Sequence, residues 1–216
     1  MFKAVLFDLD GTLVNSLKDL ANAANYALSF YGFDTYETEK YKYFVGNGIP
    51  NLITAILPQE HRDEQTHRNV MEKFFEYYRV HYADNTDAYD GIRELLAELE
   101  KRNIAFAVVT NKAQAAAEDV VNRIFPNTFK RIYGQRDGIP VKPDPSLALL
   151  AMKEMGVTPS QTIFAGDSSN DVKTGNNCGA YSVGVLWGFR RADELLEGGA
   201  KDLIVKPLDL LEIIDK

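Results

Sequence analysis

Two carboxylates stand at the end of an apolar run near the start of the chain, in Asp8-Leu9-Asp10-Gly11-Thr12 after Ala4-Val5-Leu6-Phe7. The run reads as a short buried strand and the Gly-Thr pair as its exit turn. Alternate residues of an extended chain point the same way, so Asp8 and Asp10 share a side. Carboxylates are costly in such a place unless a cation or hydrogen bonds compensate them, and two of them suit a divalent cation. Polar groups recur after later apolar runs: Thr110-Asn111, then Lys142 in Val141-Lys142-Pro143-Asp144-Pro145, then Asp167 with Ser168 and, a helical step on, Asp171. Together these residue types support phosphoryl transfer. A carboxylate can attack phosphorus to form an aspartyl-phosphate, which divides a difficult hydrolysis into two easier steps. A magnesium ion between carboxylates would polarise a phosphoryl oxygen, while a lysine and a hydroxyl hold the others. A second acid two residues along could protonate the leaving oxygen and then activate water.

The elements that must position these groups alternate from about residue 90 onward. Leu95, Leu96 and Leu99 lie on one face of a helix that ends near Lys101-Arg102-Asn103. Residues 104–109 read as a buried strand stopping at Thr110-Asn111, and 113–124 as a helix. A weak strand at 131–133 follows, then a helix over 145–155 with Pro145 in its first turn. Strands at 162–165 and 181–186 flank a helix over 171–177. Strand and helix in turn imply an α/β fold, a doubly wound parallel sheet with a Rossmann-like core. Such sheets bind ligands outside the carboxyl ends of their strands, so the polar groups could converge in one crevice.

Residues 15–86 break the rhythm. Leu17, Leu20, Ala21, Ala24 and Leu28 repeat at helical spacing, and a second helix rich in aromatics covers roughly 64–81. The expected organisation is a catalytic core of residues 1–14 and 87–216 with an inserted helical cap domain over 15–86.

Hydrophobic content of 45% and charged content of 25% suit a globular chain of 216 residues, either one domain or a core with an insertion. A net charge of −7 argues against a phosphate-backbone binder, so no nucleic-acid partner is expected. No window reaches the length of a membrane span, and no basic stretch precedes an apolar leader; no membrane partner and a cytoplasmic location are the expectations. Cys178 is the only cysteine and reads as a small buried residue near a helix end rather than a nucleophile.

Blander readings exist for each motif. Asp8 and Asp10 could cap a turn or begin a calcium loop, but that loop's bidentate glutamate is replaced by Leu17, Lys18 and Asp19. Thr110 and Asn111 could cap the helix that follows. Gly46-Asn47-Gly48 resembles the start of a dinucleotide fingerprint, but Asn51 replaces the last glycine and no βαβ unit surrounds it. A flexible cap loop closing over substrate fits better. His61, His67 and His81 lack metal spacing and read as solvent-facing.

Asp8-Leu9-Asp10-Gly11-Thr12, Thr110-Asn111, Lys142-Pro143 and Gly166-Asp167-Ser168-Ser169-Asn170-Asp171 resemble the four ordered motifs of the haloacid dehalogenase-like hydrolases. Val45-Gly46-Asn47-Gly48, Val108-Val109-Thr110-Asn111-Lys112 and Gly184-Val185-Leu186-Trp187-Gly188-Phe189 further resemble the phosphoglycolate phosphatases. The resemblance implies Asp8 as nucleophile and magnesium ligand, and Asp10 as general acid/base giving the metal its backbone carbonyl. It implies Thr110 and Lys142 as holders of the phosphoryl group, and Asp167 and Asp171 as the rest of the metal site, Asp171 directly or through water. Asn111 and the cap residues Gly46, Asn47 and Gly48 are expected on the substrate side. The implied activity is a magnesium-dependent phosphatase acting on a small phosphorylated metabolite, 2-phosphoglycolate first, in a monomer or homodimer. A pyrophosphatase, a sugar- or nucleotide-phosphate phosphatase, a phosphomutase and a non-catalytic binding protein remain alternatives.

Overall fold

The computed structural model describes residues 1–216. Its strands are β1 (Ala4–Phe7), β2 (Val14–Asn15), β3 (Asp87–Ala88), β4 (Ala105–Ala113), β5 (Ile132–Gln135), β6 (Thr162–Gly166), β7 (Tyr181–Val185) and β8 (Asp202–Ile204). Its α-helices are α1 (Leu17–Phe30), α2 (Ile49–Ile56), α3 (Glu64–His81), α4 (Ile92–Lys101), α5 (Gln114–Ile124), α6 (Ser146–Met155), α7 (Ser169–Asn177), α8 (Ala192–Glu197) and α9 (Asp209–Ile214). The chain divides into two compact units, residues 1–15 with 88–216 and residues 16–87. No helix is long and apolar enough to cross a membrane.

The larger unit is a Rossmann-like α/β fold on a six-stranded sheet in the order β5-β4-β1-β6-β7-β8. Every described pairing within that sheet is parallel. β1 carries four apolar residues and no polar face, so it is stable only where both faces are covered; all four are buried. Ala148, Ala151 and Met152 of α6 pack with Leu6, Val109, Tyr133 and Phe164 in the core, and Cys178 joins them. The thiol donates weakly to the Gly175 carbonyl, as a small core residue would.

Several boundaries differ from the sequence reading. β4 runs on through Thr110 and Asn111 to Ala113, and α5 starts at Gln114 with no side-chain cap. Thr110 and Asn111 are therefore strand residues, not helix caps, and their side chains are left for other partners. Pro145 precedes α6 instead of sitting in its first turn, its carbonyl accepting from Leu149. The second strand pair, β2 with β3, and the closing elements α8, β8 and α9 have too few residues to show a period, so sequence patterning passed over them.

In the helical unit α1, α2 and α3 have Ala24, Leu28, Ile53 and Phe74 among their buried residues. Two polar anchors organise it, one half-buried and one buried. The Asn25 amide receives the Tyr36 N–H and the Tyr41 hydroxyl and donates to the Tyr36 carbonyl. Asp19 accepts from the backbone N–H and side-chain amide of Asn85 and from the N–H and hydroxyl of Thr86, with its carboxylate buried. Four donors compensate the burial of that charge.

Candidate active site

The parallel register explains why the chemistry gathers where it does. Phe7 is level with Val108 of β4 on one side and with Ala165 of β6 on the other. Asp8 therefore leaves β1 beside the Thr110 end of β4 and beside Asp167, which follows β6. The chain order reverses across β1, and that switch point is where open α/β sheets form their crevice.

Lys142 reaches the same place from the connection between β5 and α6. The Asn111 side chain holds its backbone from both directions, its Oδ1 accepting from the Lys142 N–H at 2.8 Å and its Nδ2 donating to the Lys142 carbonyl at 3.3 Å. The Lys142–Pro143 peptide is cis. Lys142 Nζ then donates to Asp8 Oδ1 at 2.7 Å, to Asp171 Oδ1 at 2.5 Å and to the Val109 carbonyl at 3.1 Å. Those three contacts match the three donors of an ammonium.

Asp171 lies in the first turn of α7 and serves two partners. Its Oδ2 accepts from the N–H and the hydroxyl of Ser168, the residue before the helix, while its Oδ1 faces Lys142. The capping interaction fixes the rotamer that reaches Lys142. Asp167 is held from the other side: Phe189 N–H donates to its Oδ2 at 2.8 Å, and the Thr12 hydroxyl lies 3.4 Å from its Oδ1. Glycines make this approach possible. A Cβ on Gly188 would overlap Asp167 and the Gly11 carbonyl, and one on Gly166 would overlap Asp171.

One carboxylate oxygen from each of Asp8, Asp167 and Asp171 lies within 4.8 Å of the others, and all three residues are buried. Against three negative charges stands a single ammonium. Burial pushes the Asp8 carboxyl up from 3.8 to about 6; Asp171 adds to the rise and Lys142 opposes it. Asp167 is pushed well above its usual range, by burial first and then by Asp171 and Asp8. Burial works against the charge on Lys142, but Asp171 and Asp8 outweigh it and drive its pKa upward. A cluster of hard oxygen donors with excess negative charge fits a hard divalent cation.

Asp10 is close to this cluster but not in it. Its carboxylate pairs instead with Lys112, whose Nζ lies 3.1 Å from Oδ1 and 2.9 Å from Oδ2. The two acids that alternation aimed at one spot thus hold different lysines. Thr110 is buried at the crevice edge of β4, and its hydroxyl accepts from the Lys112 N–H at 3.3 Å. The β4–β5 register shifts between Val109 and Ala113, so Thr110, Asn111 and Lys112 occupy an irregular stretch of the ladder.

Gly46, Asn47 and Gly48 belong to the helical unit. Both glycines have positive φ, and Asn51 Nδ2 donates to the Asn47 carbonyl at 2.7 Å, closing a turn just before α2. His67 contacts the Pro50 carbonyl and His81 contacts Asp84. His61 is exposed, its ring 5.1 Å from that of Phe33.

Lys112, Phe189 and Gly188 had no role in the sequence reading, although each lay in a quoted stretch. Lys112, a cation at a strand end, offered a signal. A backbone N–H such as that of Phe189 offers none.

Fold and site together define an α/β protein with an acidic, metal-competent centre, and the chain belongs to the haloacid dehalogenase-like hydrolases: that family's model matches residues 5–185. It is a hydrolase of phosphoric monoesters. A phosphoglycolate phosphatase of Chromobacterium violaceum is 33% identical over 97% of this chain and 96% of its own. An N-acetylmuramic acid 6-phosphate phosphatase of Pseudomonas aeruginosa is 30% identical over 99% of this chain and 95% of its own. The crystal structure of a predicted phosphoglycolate phosphatase from Haemophilus somnus superposes with a TM-score of 0.91 at 27% identity, covering 98% of this chain and 97% of that one.

Proposed function

We propose that the protein is a magnesium-dependent phosphatase that hydrolyses 2-phosphoglycolate through an aspartyl-phosphate on Asp8. The observation that carries the reading is the buried constellation in which Lys142 bridges Asp8 and Asp171 beside Asp167. Similarity to phosphoglycolate phosphatases along nearly the whole chain supports the substrate. Asp8, Asp167 and Asp171, with the Asp10 carbonyl, would hold magnesium, which when bound supplies the charge that lets an anionic phosphoryl group enter.

The residues then divide the work. Lys142 and the Thr110 hydroxyl hold phosphoryl oxygens as charge redistributes, and Asn111 keeps Lys142 in place. An Asp8 oxygen forms a bond to phosphorus while the ester P–O bond breaks, and Asp10 gives its proton to the departing alkoxide oxygen. Asp10, now a carboxylate, takes a proton from water as the water oxygen attacks phosphorus. The bond from phosphorus to Asp8 breaks, inorganic phosphate leaves, and Asp8 is regenerated. In this reading the helical unit selects the substrate, with the turn Gly46-Asn47-Gly48 as its contact loop.

Asp8→Asn is expected to lower magnesium-supported phosphate release from 2-phosphoglycolate by at least about 10³-fold. Unchanged release would overturn the assignment of Asp8. A sugar-phosphate substrate is the second reading, favoured by the N-acetylmuramic acid 6-phosphate phosphatase relative. The two separate on kcat/KM for 2-phosphoglycolate against N-acetylmuramic acid 6-phosphate.

A further inference from the structure

Lys112 has no part in the steps above, yet its ammonium sits against both oxygens of Asp10 at 3.1 and 2.9 Å, with its side chain only 6% exposed. In a chain of net charge −7, this buried lysine places a fixed cation beside Asp10, next to the acidic cluster. In the reading proposed above, on which this inference rests, Asp10 touches the ester oxygen. An ammonium hydrogen-bonded to Asp10 then lies within roughly 5–6 Å of that oxygen, two hydrogen-bond lengths away.

We infer that Lys112 is the specificity residue for a substrate carboxylate borne on the carbon next to the ester oxygen. In 2-phosphoglycolate one methylene separates the ester oxygen from the carboxylate, so the carboxylate oxygens lie roughly 3–3.5 Å beyond it by ordinary bond lengths. That is the reach of Lys112 while it stays beside Asp10. The substrate carboxylate exchanges with one of the two Asp10 contacts, and the lysine keeps an anionic partner throughout. An ester with an alkyl group there offers Lys112 nothing for its loss of solvent. The substrate class is therefore phosphomonoesters of 2-hydroxy acids, rather than phosphates of neutral alcohols.

Discrimination of this kind, one hydrogen bond between charged groups, amounts to about 10–100-fold. The test compares 2-phosphoglycolate with ethyl phosphate, which has a methyl in place of the carboxylate, in wild type, Lys112→Met and Lys112→Arg with magnesium. The wild type is expected to favour 2-phosphoglycolate. In Lys112→Met the ratio of the two kcat/KM values falls about 10–100-fold, mainly through KM for 2-phosphoglycolate, and Lys112→Arg restores part of it. A loss shared equally by both esters means that Lys112 only positions Asp10, and overturns the inference. Binding of the isosteric phosphonate 3-phosphonopropionate against propylphosphonate, measured calorimetrically on wild type, needs neither turnover nor a variant. Equal affinities overturn the inference even if both esters are hydrolysed. Absence of turnover on both esters overturns the 2-phosphoglycolate reading, and this inference with it.

Discussion

Replacing Asp8 by asparagine is expected to stabilise the metal-free protein near neutral pH while abolishing its chemistry. Burial, followed by the charge of Asp171, raises the Asp8 carboxyl from 3.8 to about 6 in the folded protein. A raised acid pKa means that the folded state holds the proton more tightly than the unfolded chain. The stabilisation it brings is complete below about pH 4 and is lost as pH rises to about 6. Two pH units at about 1.4 kcal/mol each make the loss about 3 kcal/mol by pH 7. Asparagine has the shape of the protonated acid and keeps a carbonyl oxygen for Lys142, now 2.7 Å from Asp8 Oδ1. The variant therefore escapes most of that loss, for a net gain of about 1–3 kcal/mol and a rise of about 2–4 °C in Tm per kcal/mol. The assay is urea unfolding of both proteins in a chelator, at about pH 4 and about pH 7. The difference between them is expected to be large at the higher pH and below about 1 kcal/mol at the lower one. Millimolar magnesium is expected to reverse the order, because wild type binds it more tightly and gains stability by mass action. A variant less stable than wild type at neutral pH without metal, or a gap that ignores pH, would refute the reasoning.

Two other substitutions test the same centre. Lys142→Met leaves Asp8 and Asp171 without their shared cation; destabilisation of about 3–5 kcal/mol in urea unfolding and loss of phosphate release are expected. Stability within about 1 kcal/mol of wild type would show that the pair is not what compensates these charges. Gly188→Ala adds a methyl where Asp167 and the Gly11 carbonyl already sit. Overpacking of about 1–3 kcal/mol and a higher magnesium requirement for turnover are expected, and an unchanged magnesium titration would refute the second effect.

Much of this protein was legible residue by residue. The apolar run before Asp8, the helical spacing of Leu95, Leu96 and Leu99, and the long helix ending at His81 are local patterns, each written within one strand or one helix. The end of β4 was misread because Thr110 and Asn111 are polar. Polarity marks a strand's exit from a core, but here it marks the wall of a crevice that the strand continues to line.

The sequence by itself determined which residue types stand at the strand ends, and hence that acids, a lysine and a hydroxyl are available for phosphoryl transfer. Only the tertiary structure decided who pairs with whom. Lys142 meets Asp8 across 134 residues and Asp171 across 29, while Lys112 meets Asp10 across 102. The sequence reading sets Asp8 and Asp10 on one side of a strand, but β1 ends at Phe7 and the fold gives each acid its own lysine. Spacing within one strand fixes the direction of a side chain. Its partner is set by the parallel register of β1 between β4 and β6, which no single segment contains.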